Sequence, residues 1–473
     1  MIRAALGQRA IPVAILALIW LLPLCTAAQA AAPEPPWPAA VSEFKSLLAD
    51  LVALDTTNPP GNELAAARRL KLLFDQEGIP CTVYESAPGR GNLVARLKGS
   101  GKKRPLLFLA HLDVVGVEKD KWASDPFQMA ERDGALYGRG VIDDKGMAAG
   151  CALTLVWLHR AKVPLDRDVI FLAEADEESG STVGVDWMQE HHAADIAAEY
   201  AINEGGATEL EQGRVRYLGL QTSQKRFVNY TVTATGTAGH SSMPPPDNAI
   251  VALARALPKI AAPLPARLTP TTREFFRGVA EIQTPAVRAV MEQLEDSTRL
   301  EEAAKVVEKL PGMETVLRST VVPTILKAGS RSNVIPGSAE ATVNARLLPG
   351  TDPEVVRAEL ERRAGEPGVK VTFKPYNRPE PPHSDFAGPV VEAARRIAAR
   401  LFPGAPVVPI MSSGATDSGT LRAAGMQAYG IDPFPLEAAD AGRMHGNDER
   451  LPLKSIEPGL RLLYGIAREV AAR

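Results

Sequence analysis

The chain has 473 residues, with 53 Lys and Arg against 56 Asp and Glu and a formal net charge of −3. No basic run stands out, which argues against nucleic acid as a partner. So long a chain exceeds one ordinary hydrophobic core and predicts two domains.

At the N-terminus, Arg3 and Arg9 supply a positive region ahead of an almost unbroken apolar run, Ile11 to Leu24, and Ala28-Gln29-Ala30 follows as an A-x-A cleavage site. This predicts a secretory signal peptide over residues 1–30, because the run is too short for a comfortable span of roughly 20 residues. The mature protein is then secreted or periplasmic with no stable membrane span; an uncleaved anchor is the alternative. Cys25 follows Leu-Pro-Leu, against lipid attachment. Beyond the signal only Cys81 and Cys151 remain, at a spacing that matches no metal knuckle, and a disulfide between them stays open. Stability must come mainly from burial.

Amphipathic periods predict helices over Val41 to Ala53 and over Leu64 to Gln76, the second closed by Gly78. Asn92 to Leu97, Leu106 to Ala110 and Asp168 to Ala173 read as buried strands, Met147 to His159 as a helix, and Ala201-Ile202-Asn203 as the end of another strand. Strands alternating with helices imply an α/β architecture. After Gly219 the character changes. Asn229 to Thr235, Ala339 to Arg346 and Val369 to Phe373 are strand-like, and Asn248 to Leu257 and Asp352 to Ala364 are helical, which predicts a compact α+β second domain. A long stretch, Ala262 to Thr324, intervenes with a helical pattern at Leu300, Ala304, Val307 and Leu310. A helix resumes over Pro389 to Leu401 after the Pro-rich segment Pro375 to Pro382, and the chain returns to the first domain. The expected division is 40–222 and 378–473 for the first domain and 223–377 for the second.

Polar residues recur just after the buried strands. His111 and Asp113, two apart, point the same way from an extended backbone, and a carboxylate often orients a ligating imidazole. A surface turn explains that pair equally well. Asp143-Asp144 opens the helix at Met147, where capping is the bland reading. The run Glu174-Ala175-Asp176-Glu177-Glu178-Ser179-Gly180 is costly beside a buried strand unless a positive group sits among the acids; a solvated loop is the alternative. Asn203-Glu204-Gly205-Gly206 follows another strand, and Met444-His445-Gly446 precedes the last helix. Imidazole with carboxylate is the donor set of hydrolytic zinc sites.

Taken in order, HLDVV, GRGVIDDKG, DEESGS, NEGG, GHSSMP, SNVIPGSAEATVNARLLPG, SGATDS and MHGNDE resemble the M20 family of di-zinc metallopeptidases. Within it the chain is most similar to the carboxypeptidase S and N-acyl-amino-acid hydrolase branch, over about residues 43 to 473. The resemblance implies a di-zinc phosphorylase/hydrolase-like catalytic domain, with a mixed sheet between helices, and an inserted ferredoxin-like α+β lid. It implies two Zn2+ ions per chain, with Co2+ or Mn2+ as substitutes. His111 and Glu204 would hold one, Glu178 and His445 the other, and Asp143 would bridge them, with a cis peptide to Asp144. Glu177 would be the general base and Asp113 the partner of His111. His240 would stabilise the oxyanion, Asn333 and Arg346 would reach the substrate carboxylate, and Gly414-Ala415-Thr416 would line the pocket. A homodimer through the lid is implied as well, although the 262–324 stretch exceeds a minimal lid.

The expected function is hydrolysis of an amide bond next to a free carboxylate, as a carboxypeptidase or dipeptidase on short peptides. Aminoacylase action on N-acyl amino acids is the alternative. A binding protein that lost catalysis is a third reading, opposed by the retention of Glu177 and all five presumed ligands.

Overall fold

Four parallel strands form the centre of the molecule. In the computed structural model, which describes residues 34–374 and 380–473, Val169–Glu174, Leu106–His111, Tyr200–Asn203 and Gln427–Gly430 lie side by side in that order. Every residue of the first two is buried. Parallel strands are covered on both faces, which is why they read in the sequence as unbroken apolar runs. Antiparallel strands extend the centre on both sides, Arg90–Leu97 and Cys81–Ala87 on one and Arg214–Gln224 and Ala207–Glu211 on the other. With Val407–Ser412 and Leu436–Glu437 they make a ten-stranded mixed sheet. The signal peptide expected at residues 1–30 lies outside the described residues, as does 375–379 of the Pro-rich segment.

One face packs Leu107, Leu109, Ile170 and Leu172 against Val185 and Met188 of the helix Val185–His191 and Leu421 of the helix Ser418–Ala423. From the opposite face Phe171 meets Phe74 of the helix Glu63–Glu77, with ring centroids 6.3 Å apart. The helix Lys145–Arg160 packs along Leu106–His111 and is buried at every residue from Lys145 to Leu158. It must therefore be small as well as apolar. A Cβ on Gly150 would stand 2.8 Å from Leu463 Cδ1 of the helix Leu453–Ala471. Cys81 and Cys151 are free thiols. Among the described residues no helix is long and apolar enough to cross a membrane.

A second sheet is wholly antiparallel, in the order Thr320–Ala328, Ser338–Leu347, Arg226–Thr235, Val369–Phe373. Val228, Tyr230, Val232 and Ala234 alternate inward, as do Ala339, Ala341, Val343 and Ala345. The helices Ala249–Ile260 and Pro353–Ala364 cover that face, which is the α+β lid architecture. Asn248 caps the first helix through its side chain, and Asp352 caps the second.

The two sheets share one continuous path. Arg214–Gln224 of the large sheet runs through Lys225 directly into Arg226–Thr235 of the small one. The intervening stretch forms the helices Pro270–Ala280, Pro285–Glu292 and Leu300–Val307, and these leave the small sheet altogether. Phe275, Phe276, Val279 and Leu317 pack with Tyr217 and Val408, two residues of the large sheet. This stretch is thus mainly a helical layer on the large sheet: Leu264 at its start packs into the lid core, and its end runs into the lid strand Thr320–Ala328.

Candidate metal centre

Because parallel strands end on one side, three of them bring distant residues to one edge of the large sheet. His111 ends its strand, Val169–Glu174 runs into the turn carrying Glu177 and Glu178, and Tyr200–Asn203 runs into Glu204. His111 lies opposite Glu174 in the pairing, so the first two ends are level. Asp143 arrives from the loop before the helix Lys145–Arg160, joined to Asp144 by the cis peptide that the resemblance implied.

The Asp143 carboxylate lies between two imidazoles. Its Oδ1 is 2.9 Å from His111 Nε2 and its Oδ2 is 2.9 Å from His445 Nε2. His445 Nε2 is also 3.3 Å from Glu178 Oε2. Potential ligand atoms of His111, Asp143 and Glu178 lie within 4.8 Å of one another, and so do those of His111, Glu177 and Glu204. The five presumed ligands and Glu177 therefore come together around Asp143 and His111.

Neighbouring groups fix these orientations. His111 turns Nδ1 toward Asp113, 3.0 Å from its carbonyl and 3.3 Å from its Oδ1, and so aims Nε2 at Asp143. Fully buried Asp113 also accepts from the backbone N–H groups of Glu177 and Glu178, at 3.2 and 3.1 Å. Glu449, fully buried, accepts from Gly140 N, Ile142 N and Asp143 N and from Arg139 Nη1 at 2.7 Å, which holds the loop that delivers Asp143. Asp432 accepts from Gly205 N beside Glu204.

The electrostatics of the cluster call for added positive charge. Burial, then the nearness of Glu177 and Asp143, pushes the Glu204 carboxyl well above the ordinary range. Burial also lifts Glu177 to about 7. Burial acts upward on Asp143 too, but hydrogen bonds from His111 and His445 outweigh it and hold that carboxyl low. Asp143, followed by Glu178, raises the His445 imidazole to about 10. Five carboxyl groups, those of Asp113, Asp143, Glu177, Glu178 and Glu204, thus gather about two imidazoles, and Glu178 Oε1 is buried with no hydrogen-bond partner. A buried carboxylate oxygen left in that state is costly unless a cation meets it. With oxygen and imidazole nitrogen as the donors, the residues fit divalent transition metals.

Beside Glu177 opens a cleft of about 900 Å³, counted out to its open mouth, whose lining includes Ser181, Lys225, Phe227, Ala415 and Thr416. Gly414 N donates to Ser412 Oγ, and Thr416 Oγ1 accepts from Gln221 Nε2, which secures the Gly414–Thr416 loop. On the lid side the Arg346 guanidinium lies 4.9 Å from the Phe227 ring centre. His240 and Asn333 come together on the short pairing of Gly239–His240 with Val334–Ile335, where Ser241 N donates to Asn333 O. His240 is exposed, its Nδ1 2.8 Å from Ser242 Oγ. Among the described residues no hydrogen bond or ion pair joins His240, Asn333 or Arg346 to the ligand cluster.

Several residues that shape the site carry no signal in the sequence. Asn58, Glu63 and Arg90 reach it across 118, 27 and 86 residues of separation in their respective bonds. Glu449 stands within the MHGNDE motif, but its partner Arg139 is 310 residues away.

Residues 107–469 match the description Peptidase family M20/M25/M40. The N-fatty-acyl-amino acid synthase/hydrolase PM20D1 of Xenopus tropicalis is 29% identical over 363 residues, covering 75% of this chain and 70% of that protein. A probable succinyl-diaminopimelate desuccinylase of Staphylococcus aureus is 34% identical over 202 residues, and the match spans 42% of this chain and under half, 46%, of the relative. In fold the chain is similar to the M20 family metallo-carboxypeptidase Sso-CP2 of Sulfolobus solfataricus, with a TM-score of 0.66 at 20% identity, over 90% of this chain and 99% of that one.

Proposed function

The chain belongs to peptidase family M20/M25/M40, and from that membership we propose a zinc-dependent hydrolase that cuts the amide bond beside a free carboxylate in short peptides. The observation that carries the reading is the Asp143 carboxylate, set between His111 and His445 with one oxygen toward each. His111 and Glu204 would hold one Zn2+, Glu178 and His445 a second, with Asp143 shared; Co2+ or Mn2+ would substitute. When bound, the ions supply Lewis acidity and offset the charge of the carboxylates.

The chain's own residues do the rest. Glu177 takes a proton from the attacking water and returns it to the leaving amine. Asp113 keeps the His111 ring in its ligating orientation. His240 donates to the oxyanion, and Asn333 and Arg346 hold the substrate carboxylate, for which a guanidinium fork is well shaped. Ala415 and Thr416 wall the same cleft, and Gly414, held by Ser412, would set the loop that presents them.

A second reading is N-acyl-amino-acid hydrolysis, favoured by the extended match to the Xenopus tropicalis relative. Both readings keep the carboxylate side and differ in the acyl side. The lid's outer strand, Thr320–Ala328, leaves Val322, Ile325 and Leu326 exposed and supports a homodimer formed there. Residues 1–30 would direct the chain to the periplasm or the exterior, which N-terminal sequencing of the exported protein tests. The activity is tested by assaying dipeptides against N-acyl amino acids after chelation and again after adding Zn2+. Metal-dependent release of a free amino acid from either class supports the hydrolase. Unchanged turnover at nil metal content refutes it.

A further inference from the structure

The turn that carries Glu177 and Glu178 has an unusual start. Asp176 adopts φ +77°, a left-handed conformation that few non-glycine residues take without support. Here the support is complete. Asp176 Oδ1 accepts from Asn58 Nδ2 at 3.0 Å and Arg90 Nη2 at 3.1 Å. Its Oδ2 accepts from Thr182 Oγ1 at 2.9 Å and Val183 N at 3.2 Å. Its carbonyl accepts from Ser179 N and Ser181 N.

Behind Asp176 the string continues inward. Arg90 pairs in a fork with Glu63, Nε to Oε2 and Nη2 to Oε1, both at 2.7 Å, and the Glu63 side chain is fully buried. Asn58 Nδ2 also donates to Asp113 Oδ2 at 2.8 Å. Asp113 is the carboxylate that receives the backbone N–H groups of Glu177 and Glu178. One run of bonds, Glu63–Arg90–Asp176–Asn58–Asp113, therefore grips the turn on both sides. A buried ion pair is weak evidence for stability, since apolar replacements of similar volume are often neutral or better. What such a pair can supply instead is a fixed geometry. Gly61, at φ +82°, fits the same design: a Cβ there would stand 2.4 Å from Arg90 Nε and displace the fork.

We propose that Asn58, Glu63 and Arg90 form a positioning brace that sets how Glu177 meets the cleft and how Glu178 meets His111 and Asp143. The polar side-chain atoms of the three are directed at one another and at Asp113 and Asp176, so they act on the turn and through it. The inference rests on the assignment of Glu177 to proton transfer and Glu178 to a metal.

The test compares Arg90→Met, Arg90→Lys, Glu63→Gln and Gly61→Ala with the unaltered protein for kcat, KM, bound metal and Tm, assayed well below the lowest Tm. Partners of this kind typically matter by about 10- to 100-fold, so kcat should fall by that factor in the folded variants with KM held within about threefold. Arg90→Lys, which keeps the charge without the fork, should fall between. The double variant Arg90→Met/Glu63→Gln should be no slower than Arg90→Met alone, because both break one unit. Folded, metal-loaded variants with unchanged kcat overturn the brace, as does a lowered Tm with normal turnover or a fully additive double variant. Should Arg90→Met not fold, Glu63→Gln and Gly61→Ala decide, since both retain the guanidinium. Glu177→Ala serves as the control for the underlying assignment: if it keeps normal turnover, the assignment fails and not the brace alone.

Discussion

At the residue scale, the acids around His111 divide by what holds them. Asp143 is gripped by two imidazoles, one at each oxygen, whereas Glu177 is lifted to about 7 by burial and lies nearest the cleft. A shared ligand and a proton carrier should respond differently to removal. Glu177→Ala should retain bound metal while losing roughly 10²–10⁴-fold in kcat, the usual loss for a general base. Asp143→Ala should lose the metal itself, because no other carboxylate contacts both His111 and His445 among the described residues. Metal analysis beside steady-state kinetics checks the pair. The opposite pattern, metal lost from the first and kept by the second, would sink this division of roles.

At the scale of elements, Lys225 ties three of them together. It is the single residue between a strand of the large sheet and a strand of the small one, and it is 1% exposed. Its Nζ donates to Thr315 O and Arg318 O, at 2.6 and 2.7 Å, where the helical layer ends. Lys225→Met keeps the apolar stem but strands two carbonyls, each costing about 1–3 kcal/mol if left unsatisfied. The expected result is faster amide exchange over residues 310–319 and a lower Tm. Exchange unchanged across that segment would show the latch to be idle. The same scale explains what the sequence could reveal. Leu106 to Ala110 and Asp168 to Ala173 were legible because parallel strands buried on both faces become apolar runs. Cys81–Ala87 was not, because as an edge strand it is half-buried and polar, and Thr320–Ala328 hides behind Pro323 and exposed side chains. The helical layer could be read as helices, but its docking on Tyr217 and Val408 depends on contacts that no local period encodes. Likewise the proposed ligands were named from motif order, while Arg90 and Glu449 act through partners far along the chain.

At the scale of the whole molecule, the ligand cluster stands at the strand ends of the large sheet, while His240, Asn333 and Arg346 belong to the lid. Catalysis as proposed needs both sets at one substrate, so the lid must bring His240 to the reacting carbonyl. Two routes exist: closure about the Arg214–Thr235 path within one chain, or delivery across a dimer whose contact is the exposed lid edge. In a two-fold dimer each subunit would offer its His240 to its partner. Mixing His240→Ala protein with Glu177→Ala protein under subunit exchange separates the routes. Delivery in trans restores one intact site per mixed dimer, roughly a quarter of full activity under random exchange. We expect that recovery, because the helical layer packs on the large sheet and leaves Val322, Ile325 and Leu326 of the lid edge uncovered. Mixed dimers shown to form without any recovered turnover would assign His240 to its own chain's site.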